Sequence, residues 1–233
     1  MEKPYHPVVL SLLRRHGARV ALDAPCGTGW LGRALARGQV ALDALDGLGL
    51  WEFPPADLPY REVREHDLDT PLPQDLAGRY DAAVCGEAIH LVTNPGLLLA
   101  GFRRALGRGG LLVITTPNTW YLRSRWQYLV RGFHSGFSPM VGKRRGEYVT
   151  YLPWSFPQLH LFLTHAGFRD VALHEVDEPK PKRAIERLLA VPGALYCRGK
   201  RRAAGSGEEA AYWRQAGCPQ SLYGRWLVVS ARA

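Results

Sequence analysis

The sequence predicts an α/β domain with a doubly wound, mostly parallel sheet. Short apolar runs of strand length alternate with amphipathic runs of helical length along residues 1–176, and short loops join them. A glycine-rich turn follows the first apolar run and opens a helix. Strands that alternate with helices pair in parallel and are covered by helices on both faces. We therefore expect residues 1–233 to form one domain with a buried core.

The first half of the chain supplies the strands nearest the glycine-rich turn. After an amphipathic helix at 6–15, the segment 19–23 (RVALD) has the pattern of a buried strand, and a helix follows at 30–37. The next strands are predicted at 40–45 (ending near Asp46), 61–66 and 80–85.

Helix caps define the elements that follow. Asn94 followed by Pro95 predicts a helix start, and Ser155 with Gln158 has the spacing of a capping box. The strands that complete the sheet are predicted at 110–116, 168–176 and 222–231.

Residues 119–150 depart from the alternation and form a candidate lid. Within them, 119–132 has the pattern of a basic aromatic helix with one apolar side. Helical spacing favours a stripe packed over a pocket rather than an exposed RNA-binding face. The same basic, amphipathic pattern also fits contact with a membrane surface.

Residues 177–221 are predicted to be an insertion with loop character before the last strand, because a Pro/Lys-rich start, RGKRR and AAGSGEE lie in them. The net charge of +9 belongs to this half of the chain, since residues 121–233 carry 18 Lys and Arg against 8 Asp and Glu. Clustered cations favour an anionic partner, although they also keep a protein in solution.

Composition excludes several classes of protein. No apolar run approaches the roughly 20 residues of a membrane-spanning helix, so we expect a soluble, cytoplasmic protein. The four cysteines form no CxxC pair, so we expect neither a metal site nor disulfide bonds.

The most informative segment is 20–36, VALDAPCGTGWLGRALA. It combines an acidic residue at a strand end with glycines where the backbone turns over a helix N-terminus. Gly27, Gly29 and Gly32 also satisfy the dinucleotide pattern GxGxxG, and Asp46 follows 19 residues after Gly27. The glycines alone leave a nicotinamide-dependent oxidoreductase open.

The surrounding segments narrow the choice. In chain order they are Asp23 before CGTG, HDLD at 66–69, YDAAVCGEA at 80–88 and LGRGGLLVITTPN at 106–118. Together they resemble class I S-adenosylmethionine-dependent methyltransferases, most closely the small-molecule subgroup that includes ubiquinone-biosynthesis enzymes. The resemblance implies a seven-stranded, Rossmann-like sheet with an antiparallel last strand. It also implies S-adenosylmethionine as the cofactor and S-adenosylhomocysteine as the product.

The resemblance assigns four residues to the methionine end of the cofactor: Asp23, Cys26, Gly27 and Gly29. The Asp23 carboxylate would balance the cationic groups there. Pro25 replaces the usual first glycine of the loop. Because proline fixes φ and removes a donor, we expect a stiffer turn that still binds.

The resemblance also implies contacts to the adenosine. Asp46 would accept from both ribose hydroxyls, because it lies 17 residues after Gly29 and ends the predicted strand, and Asp43 is its rival. Asp67 would accept from the adenine amine while Leu68 packs on the ring.

Two residues after the fourth strand are candidates for catalysis. Glu87 matches the position at which relatives line the methyl-transfer region, so it is also a candidate cofactor contact. His90 is a candidate base for a hydroxyl acceptor, but it lies one place earlier than the His of the Glu-His pair in many relatives. Methyl transfer from a sulfonium is a direct displacement, so only some acceptors need a base.

The acceptor site is expected in the candidate lid. Its predicted lining is partly aromatic and consists of Trp120, Tyr121, Arg125 and Tyr148. Together with the cluster at 143–145, Arg125 favours an anionic or phosphorylated small molecule. A lipid-like acceptor would fit the membrane interpretation.

Two alternatives concern substrate and activity. Nucleic acid is not expected as substrate, because the chain has CGEA where adenine-N6 enzymes carry an NPPY-type tetrad. The missing Glu-His pair leaves open a non-catalytic, cofactor-binding partner subunit.

Overall fold

The computed structural model describes residues 2–137, 152–178 and 184–233, and in these ranges seven strands form one sheet. The strands are β1 (Val20–Asp23), β2 (Ala44–Gly49), β3 (Glu62–Glu65), β4 (Tyr80–Gly86), β5 (Leu106–Pro117), β6 (Arg169–His174) and β7 (Trp226–Arg232). The helices are α1 (His6–His16), α2 (Trp30–Ala36), α3 (Pro95–Ala105), α4 (Leu122–Arg131), α5 (Phe156–His165), α6 (Ala184–Arg202), α7 (Gly207–Ala216) and α8 (Pro219–Tyr223).

The sheet is mostly parallel, as the alternating pattern predicts. Its strand order is β3-β2-β1-β4-β5-β7-β6, and β1 to β5 pair in parallel. The strand β7 is antiparallel to both of its neighbours, β5 and β6. The prediction of an α/β, Rossmann-like sheet with an antiparallel last strand is confirmed.

Two apolar cores lie on opposite faces of the sheet, because side chains alternate along each strand. Leu22 and Ala83, which are register partners, belong to the core that α3 and α5 cover. Their neighbours Ala21 and Ala82 belong to the core that α1 and α2 cover. The carboxyl ends of the parallel strands therefore meet at one edge between two layers of helices.

Both predicted caps are present. The Asn94 side chain accepts a 3.1 Å hydrogen bond from the Leu97 N–H at the start of α3. Ser155 and Gln158 form the reciprocal capping box at the start of α5. These contacts satisfy N–H groups that have no partner within the helix.

The predicted position of β2 is wrong. The strand covers Ala44–Gly49 rather than 40–45, so Asp46 lies within it and Gly49 ends it. An acidic residue is acceptable inside the strand because Arg61 and Tyr80 hydrogen-bond to its carboxylate.

The predicted loop character of 177–221 is also wrong, because the described part of this segment carries α6, α7 and α8. The helix α6 buries only one narrow side, formed by Glu186, Ala190 and Cys197. Most of its apolar side chains are exposed, so the apolar side of this helix faces solvent rather than the core. The last strand begins at Trp226, because Leu222 belongs to α8.

The helix in the candidate lid forms at Leu122–Arg131, within the predicted range, and most of its apolar side is exposed in the described structure. Ser124 is the one buried residue of α4, whereas Trp126 is 63% and Leu129 75% exposed. The predicted site residue Tyr148 and the cluster at 143–145 lie outside the described residues.

Within the described ranges, none of the helices combines the length and the apolar character needed to cross a lipid bilayer.

Candidate functional site

The glycine loop, residues 24–29, joins β1 to α2 at the carboxyl edge of the sheet. Gly27 and Gly29 have φ angles of 47° and 80°, a region that favours glycine. A Cβ at Gly29 would lie 2.6 Å from Leu58 and 2.7 Å from Pro54. Both of those residues belong to the β2–β3 loop (residues 50–61), which therefore packs directly on the glycine loop.

Cys26 anchors the glycine loop to β2. Its N–H donates a 2.8 Å hydrogen bond to the Leu48 carbonyl, and its side chain is buried. The Sγ atom lies where Cβ atoms at Gly47 or Gly49 would crowd it. Burial raises the pKa of the Cys26 thiol to about 12, so the group is a neutral packing element rather than a nucleophile.

Asp23 ends β1 directly beneath the glycine loop and is fully buried. Its Oδ2 accepts a 2.7 Å hydrogen bond from the Tyr60 hydroxyl. Its Oδ1 is buried and has no hydrogen-bond partner among the described residues. Burial raises the pKa of Asp23 to about 7, and the hydrogen bond from Tyr60 only partly opposes this. One buried carboxylate oxygen is thus left without a hydrogen-bond donor in the described structure.

Tyr60 explains the third glycine of the GxGxxG pattern. The Gly32 N–H donates a 3.3 Å hydrogen bond to the Tyr60 hydroxyl oxygen. A Cβ at Gly32 would overlap the Tyr60 ring. Gly32 therefore makes room for a tyrosine from the β2–β3 loop.

The hydrogen-bond partners of Asp46 lie at the amino edge of the sheet, and the glycine loop lies at the opposite, carboxyl edge. Arg61 donates to Oδ1 at 2.9 Å, and the Tyr80 hydroxyl donates to Oδ2 at 2.9 Å. Arg79 also lies near this carboxylate, with 3.9 Å between its Nη2 and Oδ2 of Asp46. Arg61 and Arg79 immediately precede β3 and β4, at the amino ends of these strands. Burial opposes ionisation, but hydrogen bonds from Arg61 and Tyr80 outweigh it and lower the pKa of Asp46.

Asp43, the rival of Asp46, is also at the amino edge. It precedes β2, and its Oδ2 lies 2.6 Å from Nε of Arg19. Neither acid is therefore at the end of β2 that faces the glycine loop.

Glu52, in the β2–β3 loop, brings a carboxylate to the glycine loop, and the sequence patterns did not single it out. Its Oε2 lies 3.7 Å from the position of a Cβ at Gly27, and its side chain is exposed. Gly49 stands at the strand end, where the predicted acid was expected. Glu52 follows Gly49 by three residues in the sequence. With the correct end of β2, this short separation would have identified it as the acidic residue after the strand.

Asp67 and Leu68 follow β3 and lie beside the end of β2, because the His66 N–H donates to the Gly49 carbonyl at 2.8 Å. The Asp67 side chain is exposed and accepts from the Asp69 N–H at 3.0 Å. Leu68 is buried in the core under this edge.

The turn after β3 is held by a residue that sequence reasoning missed. Oδ1 of Asp69 accepts from the Thr93 and Asn94 N–H groups at 2.6 and 3.0 Å. These bonds fix the turn that carries Asp67 against the start of α3.

Glu87 lies just past β4 at the same edge. Its φ of 51° is in the left-handed region, which non-glycine residues rarely adopt. Its N–H donates to the Thr115 carbonyl at 2.9 Å, and its side chain pairs with Nζ of Lys3 at 3.6 Å. Burial, with a further contribution from Glu87, raises the pKa of Tyr5.

His90 follows in the same turn. Its Nδ1 lies 3.1 Å from the Thr116 hydroxyl oxygen at the end of β5. Burial lowers the pKa of His90 to about 4, so the imidazole is neutral near pH 7. It can accept a proton only as a weak base.

The described part of the candidate lid contributes Trp120, Tyr121 and Arg125. The Arg125 guanidinium lies 5.0 Å from the Trp120 ring centroid, and its Nε is buried without a hydrogen-bond partner in the described part of the chain. Tyr121 instead faces Arg225, whose guanidinium is 4.5 Å from its ring centroid.

The site thus brings together the ends of β1, β2, β3 and β4. It offers one buried carboxylate oxygen, the exposed carboxylates of Glu52 and Asp67, and a glycine loop at a helix N-terminus. In the described ranges, no cluster of His, Cys, Asp and Glu could hold a metal ion. The arrangement suits an organic ligand with a cationic group and hydroxyl groups.

A family model described as a methyltransferase domain matches residues 5–172. None of the curated proteins matches the sequence closely enough to count as a relative.

Solved structures share the fold at low sequence identity. An S-adenosylmethionine-dependent methyltransferase from Mesorhizobium loti is 20% identical with a TM-score of 0.54, over 99% of this chain and 98% of that one. A methyltransferase of the same description from Archaeoglobus fulgidus is 16% identical with a TM-score of 0.51, over 97% and 93%. The 1,6-didemethyltoxoflavin-N1-methyltransferase of Burkholderia thailandensis, solved with 1,6-didemethyltoxoflavin and S-adenosylhomocysteine, is 16% identical with a TM-score of 0.56, over 99% and 78%. At these identities the likeness concerns the fold.

Proposed function

The chain belongs to the methyltransferase-domain family, and from this premise we propose that it transfers a methyl group from S-adenosylmethionine to a small-molecule acceptor. The observation that carries the proposal is the unpartnered Oδ1 of Asp23 beneath the glycine loop. A buried carboxylate oxygen without a donor is costly, and a cationic ligand group would relieve that cost. The ammonium of the cofactor's methionine part supplies such a group.

The ribose would be held by Glu52 rather than by Asp46. Glu52 extends from the loop after β2 to the surface of Gly27, whereas Asp46 is engaged by Arg61 and Tyr80 at the amino edge. A carboxylate that accepts from two neighbouring hydroxyls makes charge-assisted hydrogen bonds, which are stronger than neutral ones.

Asp67 and Leu68 are assigned to the adenine. The turn that carries them lies next to Gly49, and Asp69 fixes this turn. Cys26 contributes through its backbone and its packing, since its thiol is neutral and faces β2.

The bound cofactor supplies an electrophilic methyl group on a sulfonium. The chain's own residues have to hold the acceptor in line with that methyl group and exclude water. Glu87 fits this role by position, because it directly follows β4 at the same edge of the sheet as the glycine loop. His90 would take a proton from a hydroxyl acceptor, helped by its neutral state.

The acceptor is proposed to be anionic. Among the described residues the buried Nε of Arg125 has no partner, and the guanidinium lies against the Trp120 ring, so it can offer an edge to a carboxylate or phosphate. Tyr121 and Tyr148 remain proposed members of this pocket. A ubiquinone-biosynthesis-like acceptor and a lipid-like acceptor are finer versions of the same proposal.

A nicotinamide-dependent oxidoreductase is disfavoured by the strand order. Dinucleotide-binding sheets of the doubly wound type run 3-2-1-4-5-6 with parallel strands. Here an antiparallel β7 lies between β5 and β6.

The proposal is tested by calorimetric titration with S-adenosylhomocysteine and, separately, with NAD. We expect S-adenosylhomocysteine to bind at about micromolar concentration and NAD not to bind. Glu52→Gln should weaken binding about tenfold or more, because it removes a charged acceptor. Asp57→Asn, an exposed carboxylate on the same β2–β3 loop, is the matched control and should leave the affinity unchanged.

Binding of NAD alone would overturn the proposed cofactor. Turnover with a panel of carboxylated and phosphorylated acceptors tests the transfer itself. Release of S-adenosylhomocysteine with any acceptor is the expected result. Binding without release across the panel would favour a non-catalytic, cofactor-binding subunit.

A further inference from the structure

The helix α6 presents an apolar face to solvent. Its packed side follows Glu186, Ala190 and Cys197, which are four and seven residues apart and so lie on one face of the helix. On the opposite side lie large apolar residues that are 46% to 68% exposed: Ile185, Leu188, Leu189, Leu195 and Tyr196. Scattered apolar residues are normal on a surface, but an aligned stripe of this size marks an interaction site.

Cations lie beside this stripe and past its C-terminal end. The exposed charged side chains of α6 are Arg187, Arg198, Lys200, Arg201 and Arg202. Glu186, the acidic residue of the helix, is buried and pairs with Arg225 at 2.7 Å, so it does not offset the surface charge. The surface of α6 is therefore both apolar and strongly cationic.

The start of α4 adjoins the start of α6 through a single residue. Arg225 lies 4.5 Å from the Tyr121 ring centroid, at the N-cap of α4, and also pairs with Glu186 in the first turn of α6. The helix α4 carries exposed Trp126 and Leu129 and has its own arginines. Two basic helices with exposed apolar side chains thus begin at one point of the molecule.

We infer that α6, with α4 beside it, docks on an anionic lipid bilayer and lies in the plane of the headgroups. An interfacial helix inserts apolar side chains between the headgroups while its cations contact lipid phosphates. The pairing of exposed Leu and Ile with Arg and Lys matches that chemistry. RNA would engage the cations but leave the aliphatic side chains in water.

Charge also argues against a second copy of the chain as the occupant. A two-fold interface would contain the same patch from both copies and so bring two sets of five cations into one interface. Like charges in contact oppose association, whereas an anionic bilayer neutralises them. The inference is independent of the proposed methyl transfer.

The test is flotation of the full chain with vesicles. We expect binding to phosphatidylcholine vesicles that contain about 25% phosphatidylglycerol, little binding to pure phosphatidylcholine, and release at high salt. The double variant Leu188→Ser/Leu195→Ser should bind about tenfold less, because it removes two of the most exposed apolar side chains. The double variant Arg198→Gln/Arg201→Gln should lose binding to anionic vesicles in particular.

Leu161→Ser is the matched control, because Leu161 on α5 is 64% exposed but lies outside the surface. It should bind vesicles like the unaltered chain, and all variants should keep their melting temperature and their affinity for S-adenosylhomocysteine. Absence of flotation of the unaltered chain would overturn the inference, as would equal loss in the Leu161 control. A dimer that the Leu188/Leu195 variant converts to a monomer, without vesicle binding, would assign the surface to self-association.

Discussion

The Tyr60 hydroxyl donates a 2.7 Å hydrogen bond to Oδ2 of Asp23, which ties the β2–β3 loop to the end of β1. The same loop carries Glu52 to the surface of Gly27. The Tyr60–Asp23 hydrogen bond therefore links the orientation of the buried Asp23 carboxylate to the position of the loop that carries the exposed Glu52. Tyr60→Phe should make the Asp23 carboxylate and the β2–β3 loop less rigidly held. It should also raise the pKa of Asp23 further, since the hydrogen bond favours the ionised form.

Asp23→Asn is expected to make stability less dependent on pH. The pKa of Asp23 is raised from 3.8 to about 7, so the unfolded chain releases this proton first as the pH rises. The free energy of unfolding falls through that window by about 1.4 kcal/mol per unit of pKa difference, in total on the order of a few kcal/mol. The variant has no such titration. Chemical denaturation of both proteins should show the variant gaining relative stability between these two pH values, whereas a constant difference would contradict the raised pKa.

Comparison of Gly29→Ala with Gly38→Ala distinguishes the cost of backbone strain from the cost of a steric clash of the added Cβ atom. Both glycines have positive φ, so each alanine costs about 1–2 kcal/mol of strain. A Cβ at Gly38 meets nothing within 4 Å, whereas one at Gly29 meets Leu58 and Pro54. We expect Gly29→Ala to lower the melting temperature more and to abolish binding of S-adenosylhomocysteine. Normal binding by Gly29→Ala would show that the contact with the β2–β3 loop is dispensable.

Asp46→Asn should affect stability rather than cofactor affinity. The pKa of Asp46 is lowered in the folded chain, so its contribution is present above its unfolded pKa and is lost as the pH falls through its folded value. Arg61 is 46% exposed, which screens the pair, so we expect a loss of about 1–3 kcal/mol at neutral pH. The dissociation constant of S-adenosylhomocysteine should stay within about twofold. A tenfold weaker affinity in a folded variant would return the ribose role to Asp46.

His90→Asn should lower turnover about 100-fold with a hydroxyl acceptor and leave cofactor affinity unchanged. His165→Asn, an exposed histidine on α5, is the control. Since burial lowers the pKa of His90 to about 4, the rate should not fall as the pH drops through the ordinary histidine value of 6.5. A His90-dependent fall near that value would show that the residue titrates as a solvated imidazole.

Features that depend on local sequence were predictable. Asn94 and Ser155 cap helices through contacts three residues away, and the glycine loop follows β1 as its pattern indicates. The boundary of β2 was not, because Asp46 is accommodated by Arg61, 15 residues away. From local sequence alone, a buried acidic residue is predicted to end a strand, because the distant arginine that pairs with it is not visible.

The same reason explains what was missed at the site. Tyr60 meets Asp23 across 37 residues, and no local spacing connects them. Glu52 lies in a loop without regular structure, so its approach to Gly27 depends on the path of the whole β2–β3 loop. In residues 177–221, loop character was predicted from the Pro/Lys-rich start, RGKRR and AAGSGEE, but these segments lie before α6, at its end or just after it and leave room for the helix between them.

The position of β7 between β5 and β6 has a consequence for synthesis on the ribosome. In the described structure β6 pairs only with β7. Because β7 lies near the C-terminal end of the given sequence, it is synthesised well after β6. Until Trp226–Arg232 emerges, β5 has a bare edge and β6 has no partner at all. Exposed strand edges invite pairing between nascent chains, so a chain interrupted before Trp226 should aggregate rather than form a smaller native sheet.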